Sequence, residues 1–99
     1  MIKSQHLADL VAAIDSQSLS LIDVREVDEY QAGHVPGAKN LPLSELAERY
    51  TELDKNTPYH IICHSGGRSA RACQFLAGQN YDVTNVEGGT IAWTGNLEQ

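Results

Sequence analysis

Cations are scarce in this chain. Seven Lys and Arg face thirteen Asp and Glu, leaving a net charge of −6 at pH 7. A surface of that sign repels phosphate backbones and acidic headgroups, which argues against general nucleic-acid or acidic-membrane binding. Long apolar runs are absent too: nothing approaches the length of a membrane span, and no basic-then-apolar signal segment stands at the start. Two cysteines, Cys63 and Cys73, are too few for a disulfide framework and are not spaced like zinc ligands. Reduced thiols, a cytoplasmic setting and no metal are the expectation. No Pro/Gly/Ser-rich linker, internal repeat or low-complexity segment divides the chain, so residues 1–99 read as a single domain with one modest core.

What is present alternates between strand and helix patterns. Ile2-Lys3 reads as a short edge strand, and Ser4 as the N-cap of a helix whose inner stripe is Leu7, Leu10, Val11 and Ile14. Leu19 to Val24 reads as a buried strand, and a helix from Val27 to Ala32 is expected to stop at a left-handed Gly33. A strand near Lys39 to Leu41 follows, then a helical stripe of Leu43, Leu46, Ala47 and Tyr50 closed by the turn Asn56-Thr57-Pro58. Tyr59 to Ile62 is the central strand, and the next helix buries Ala72, Phe75 and Leu76, with Asn80 as C-cap. Val83 to Val86 supplies the last strand and Gly89 to Trp93 a final short helix, with Trp93 as a core plug at the sheet edge. The alternation implies an α/β fold, a mainly parallel sheet of about five strands covered on both faces, with the site at the strands' carboxyl ends.

The central strand ends on Cys63-His64-Ser65-Gly66-Gly67-Arg68-Ser69. A strand, a tight glycine-rich loop and a helix start in this order aim backbone N–H groups into one bowl. A thiol at its base is stabilised as thiolate. Gly66 and Gly67 let the backbone curl without a Cβ in the way. Arg68 sits where the helix dipole disfavours a cation, so it calls for an anion or a carboxylate partner. Ser65 and Ser69 are capping or turn residues, with Ser65 equally able to donate to the sulfur. His64 reads as a solvent-facing loop residue, and Arg71 as a solvated one that flanks the mouth. Cys73, between Ala72 and Phe75 in the helix, reads as packing. His6, His34 and His60 have no metal-like spacing.

These segments together resemble the rhodanese, or sulfurtransferase, domain. Cys63 to Ser69 matches its C-x-x-G-x-R-S loop, and Leu21-Ile22-Asp23-Val24-Arg25-Glu26 its "LIDVRE" strand end. Glu29-Tyr30, Gly33-His34-Val35-Pro36-Gly37-Ala38 and Asn40-Leu41-Pro42 follow the family's middle signature, and Glu87-Gly88-Gly89 with Ala92-Trp93 its closing one. The resemblance implies a three-layer α/β/α fold. It also implies that Asp23 and Arg25 form an ion pair or hydrogen-bond network supporting the loop from the adjacent strand end.

The activity implied is sulfane-sulfur transfer in two steps. Cys63 takes sulfur from a small anionic donor such as thiosulfate while Arg68 holds the departing anion. The resulting persulfide, stabilised by amides from His64 to Arg68, then gives the sulfur to cyanide, a thiol or a protein cysteine, with no cofactor. Two rivals are a phosphatase or arsenate reductase of the same fold and a non-catalytic rhodanese module acting in protein interaction. The phosphatase loop is one residue longer between Cys and Arg, and no Asp general acid stands in this loop. The interaction modules usually lose the cysteine, which is present here.

Overall fold

The computed structural model describes residues 2–99, which fold around a five-stranded, wholly parallel sheet. The strands are β1 (Lys3–His6), β2 (Leu21–Asp23), β3 (Lys39–Asn40), β4 (Tyr59–Ile62) and β5 (Val83–Glu87), in the spatial order β1-β5-β4-β2-β3. The helices are α1 (Val11–Asp15), α2 (Val27–Ala32), α3 (Leu46–Arg49) and α4 (Gly67–Gly78), with 3-10 turns at Leu7–Asp9, Leu43–Glu45, Tyr50–Glu52 and Thr90–Ala92.

Side chains on a strand alternate between faces, and two cores result. Ile22, Ile61, Cys63 and Val83 point to the face that α3 and α4 cover with Leu46, Ala72, Cys73 and Leu76. Leu21, Ile62 and Val86 point to the other face, where Leu7, Leu10, Ile14 and Val35 pack. This is the α/β/α arrangement in three layers. β4, paired with β2 through Asp23↔Ile62 and with β5 through Ile61↔Asn85, is the middle strand and delivers Cys63.

Several local expectations shift. Ser4 lies within β1, and His6 caps the next turn by accepting from Ala8 N–H at 3.1 Å. The first helix is a 3-10 turn followed by five residues, so Val11 stands 37% exposed while Leu7, Leu10 and Ile14 are buried. Gly33 ends α2 at φ +150 and ψ 134, a positive-φ conformation that favours glycine but is not the left-handed helical one, with Leu97 Cδ1 3.0 Å from where a Cβ would stand. The C-cap of α4 is Gln79, and Asn80 follows in the left-handed region at φ +70. Phe75 is half-buried, its ring edge-on to Tyr50 at 5.3 Å. Trp93 is likewise half-buried against the Leu7 core, with its ring N–H on the Asn96 carbonyl.

His60 on β4 gives the fold a pH dependence. Its Nδ1 is buried without a partner among the described residues, and Nε2 lies 3.1 Å from Gln5 Oε1. Burial, then the nearby Lys3 charge, hold its pKa below the ordinary 6.5, with Asp82 opposing. Above that value the folded and unfolded chains are both neutral there, and the contribution is complete. As pH falls below it, the unfolded chain takes the proton first, and stability declines until the folded pKa is reached. Thermal melts between roughly pH 5 and 8 should show this decline in the wild type and a flatter profile in His60→Gln.

Candidate active site

Cys63 leaves the end of β4 with 1% exposure, at the floor of a loop that wraps over it. Gly66 N–H points at Sγ from 3.1 Å, and Ser69 Oγ lies 3.4 Å away. Burial alone pushes the thiol's pKa up. The Ser69 hydroxyl and the amides of Ser69, Gly66 and Ser65 outweigh it, so the net displacement is downward. Gly66 holds φ +116 and caps α4, a conformation that side-chain-bearing residues rarely adopt. His64 and Ser65 face solvent. Ser69 is fully buried, bonded also to Gly66 O at 3.1 Å and Asn85 Oδ1 at 2.5 Å.

Arg68 has found the carboxylate that its place at the helix start requires. Nη1 and Nη2 reach Glu29 Oε1 and Oε2 at 2.6 and 2.9 Å, a bidentate pair. Glu29 also accepts Glu26 N–H at 3.1 Å in the capping box that opens α2, so its carboxylate is fixed from both sides. The Arg68 bond lowers the Glu29 pKa to about 2, so the pair stays ionised across working pH. Arg71, one turn on, is exposed and has no ion-pair partner among the described residues.

Asp23 and Arg25 lie at the carboxyl end of β2, next to the loop. Asp23 is fully buried and takes the Arg25 Nε and Nη2 donors at 2.9–3.1 Å, while Nη2 also donates to Gly33 O at 2.8 Å. None of these side-chain bonds reaches residues 63–69, whereas the turn after β5 does brace the loop. Thr90 N–H and Oγ1 both donate to the Cys63 carbonyl at 2.9 Å, and Ile91 N–H donates to the His64 carbonyl at 3.1 Å. Sequence reasoning misses three contributors: Asn85, Glu29 as the partner of Arg68, and the Gly89-Thr90 brace. Cys73 is fully buried in α4, its pKa pushed up to about 12 by burial and then by Cys63.

Among the described residues no three His, Cys, Asp or Glu side chains converge to hold a metal ion, and no helix is long and apolar enough to cross a membrane. A cleft of about 370 Å³ lined by Leu19, Ser20, Lys39 and Tyr59 opens at the opposite, amino end of β2 and β4, away from the thiol.

Residues 6–96 match the Rhodanese-like domain. A protein of Allochromatium vinosum named as a sulfurtransferase is 39% identical over 95 residues, covering 85% of this chain and 89% of that protein. A Bacillus subtilis protein described as a candidate sulfur carrier is 44% identical over 87 residues, and this chain spans 47% of its length. The crystal structure of a rhodanese-like domain protein from Staphylococcus aureus superimposes with a TM-score of 0.88 at 34% identity, covering 98% of this chain and 97% of that one.

Proposed function

The chain belongs to the Rhodanese-like domain family, and from that premise we propose that it transfers sulfane sulfur through a persulfide on Cys63. The observation that carries the reading is the buried Cys63 sulfur, faced by Gly66 N–H and the Ser69 hydroxyl and favoured as thiolate. The thiolate attacks the outer sulfur of thiosulfate. The S–S bond of the donor breaks, its electron pair leaves with sulfite, and Cys63 carries the outer sulfur as an anionic persulfide. A thiolate or cyanide then attacks that sulfur, leaving as a persulfide or thiocyanate and restoring the Cys63 thiolate. Charge and atoms balance in both steps without a cofactor.

His64, Ser65, Gly66, Gly67 and Ser69 form the cradle for donor and persulfide, and the Asp23–Arg25 pair stiffens the strand end beside it. Arg68 is held by Glu29 through one N–H on each Nη, which leaves three guanidinium N–H donors for the departing anion. Free, buried thiols suit a reducing compartment such as the cytoplasm. The relatives' names support sulfur donors and acceptors in general, and thiosulfate is the donor proposed here.

The test is intact mass after incubation with thiosulfate, with sulfite assayed in the same tube. A gain of one sulfur matched by sulfite release is expected, and an unchanged mass sinks the reading. The Glu29–Arg68 pair gives a signed prediction. Arg68→Ala strands the Glu29 carboxylate at the mouth and removes a charge-assisted donor worth about 1.5–3 kcal/mol, so kcat/KM for thiosulfate should fall roughly ten- to a hundred-fold. Glu29→Gln removes a repelling charge and leaves the guanidinium, so the thiosulfate KM should fall. Steady-state kinetics on both variants measure the two signs.

A further inference from the structure

Asn85 is 8% exposed on β5 and lies on the sheet face that α4 covers, next to the apolar Val83 and Ile61. A buried amide in such surroundings is costly unless both its ends are bonded. One end lies 3.5 Å from the Gly66 carbonyl, which can only accept, so that end is Nδ2. The other end is therefore Oδ1, and it meets Ser69 Oγ at 2.5 Å. Oδ1 can only accept, so Ser69 donates its single proton there, and its lone pairs face the Cys63 sulfur at 3.4 Å. Lone pairs suit an S–H. They do not suit an anionic sulfur.

We propose that Asn85 is a positioning residue for Cys63, acting through the Ser69 hydroxyl as a two-position hydrogen-bond relay in which Ser69 keeps its proton and turns it; this rests on Cys63 being the nucleophile. With the thiol protonated, Cys63 donates to Ser69 and Ser69 donates to Asn85. With sulfur anionic, as thiolate or persulfide, the Ser69 O–H turns to the sulfur and Asn85 Oδ1 loses its donor. Sulfur and Asn85 thus compete for one proton, with the Gly66 carbonyl at 3.1 Å a weaker claimant. Gly66 N–H, at 3.1 Å, serves the sulfur in both states. The competition keeps the thiolate more basic than the amide bowl alone would make it. A more basic thiolate is intrinsically the stronger nucleophile.

The other charged or titratable groups around the sulfur come from each neighbouring element. Helix α4 offers Arg68 and Cys73, α2 offers Glu29 through Arg68, and the end of β2 offers the Asp23–Arg25 pair. The loop itself carries His64, which is exposed, and β5 ends on the exposed Glu87. None of them touches the Ser69–Asn85 bond.

The experiment is the rate of Cys63 alkylation by iodoacetamide against pH, followed by the mass of the Cys63 peptide. Asn85→Leu removes the competitor, so the midpoint should fall by about half to one pH unit, the size of one hydrogen bond, and the plateau rate should fall with it. Asn85→Asp keeps an acceptor and adds negative charge, so its midpoint should rise. Ser69→Ala removes the donor, and its midpoint should rise as well. A purely structural Asn85 would loosen the bowl in every variant and raise the midpoint in Asn85→Leu; that result, or no change, overturns the relay. If Asn85→Leu does not fold, Asn85→Val removes the same acceptor on a strand-favouring side chain and must show the same fall. Sulfur loading of the wild type is scored separately. A wild type that takes no sulfur removes the transferase reading, while the alkylation midpoints still decide the relay.

Discussion

Cys63→Ser should take up no sulfur from thiosulfate, whereas Cys73→Ser should gain one sulfur as the wild type does. The two thiols lie ten positions apart and both are buried, yet their surroundings push them in opposite directions. Around Cys63 the Ser69 hydroxyl and three loop amides overcome burial and favour the anion. Around Cys73 nothing opposes burial, and the Cys63 charge adds to it, so the pKa climbs to about 12. At pH 8 such a thiol is ionised to about one part in ten thousand, too little to compete as a nucleophile. A serine hydroxyl at position 63 titrates far higher still, and loss of the adduct should be complete. Intact mass before and after treatment, with circular dichroism as the folding control, reads the result. Loss of the adduct in a folded Cys73→Ser would require a two-cysteine mechanism instead. Faster hydrolysis of an aryl phosphate than transfer of sulfur by the wild type would favour the phosphatase rival.

The strand that carries Cys63 is legible in the sequence because Ile61, Ile62 and Cys63, buried on alternate faces, form an apolar stretch that ends abruptly in His64-Ser65-Gly66. Helix positions are legible in the apolar stripes, but helix lengths are not where packing decides them. The stripe through Leu43, Leu46 and Tyr50 contains only four residues of α-helix, flanked by 3-10 turns, with Arg49 tied to both Glu45 and Glu52. Such short pieces have no stability of their own, so tertiary contacts set their ends.

In the site, the residues contiguous with Cys63 are readable and the remote ones are not. Asn85 sits in β5 next to Thr84, both of them buried, and a polar residue in a buried strand signals a partner without saying which. That partner follows only from β5 lying beside β4 under α4, a matter of sheet order. Glu29 does leave a local signal, since Glu26 and Glu29 have the spacing of a capping box. The box explains why Glu29 is rigid, but its pairing with Arg68 spans 39 residues and depends on how α2 docks.

Gly89→Ala should be the most damaging single-methyl change in the molecule. A Cβ at Gly89 would lie 2.4 Å from the His64 carbonyl oxygen, 2.6 Å from its carbon and 2.8 Å from the Cys63 oxygen. All three are backbone atoms of the loop that carries Cys63, so no side-chain rotation relieves the overlap. Gly89 also holds φ +60 and ψ −163, which a side-chain-bearing residue adopts only under strain. Conformational strain of about 1–3 kcal/mol and overpacking of similar size together predict a loss of about 3–5 kcal/mol. For a domain of this length that corresponds to a melting temperature lower by roughly 12 °C or more. Function should suffer with stability. Relief requires the turn to back away from the loop, which stretches the Thr90 bonds to the Cys63 carbonyl and the Ile91 bond to His64. Those bonds fix the backbone from which Sγ and the amide bowl are hung, so sulfur loading should slow even at temperatures where the variant is folded. Gly37→Ala is the control. It too has positive φ, at +85, but no atom lies within 4 Å of the place its Cβ would take, so it carries the conformational penalty without the clash. Calorimetric melts and loading rates for both variants separate the two contributions. Equal effects at Gly37 and Gly89 would mean that close approach of the turn to the loop contributes nothing, and the brace would have to be abandoned.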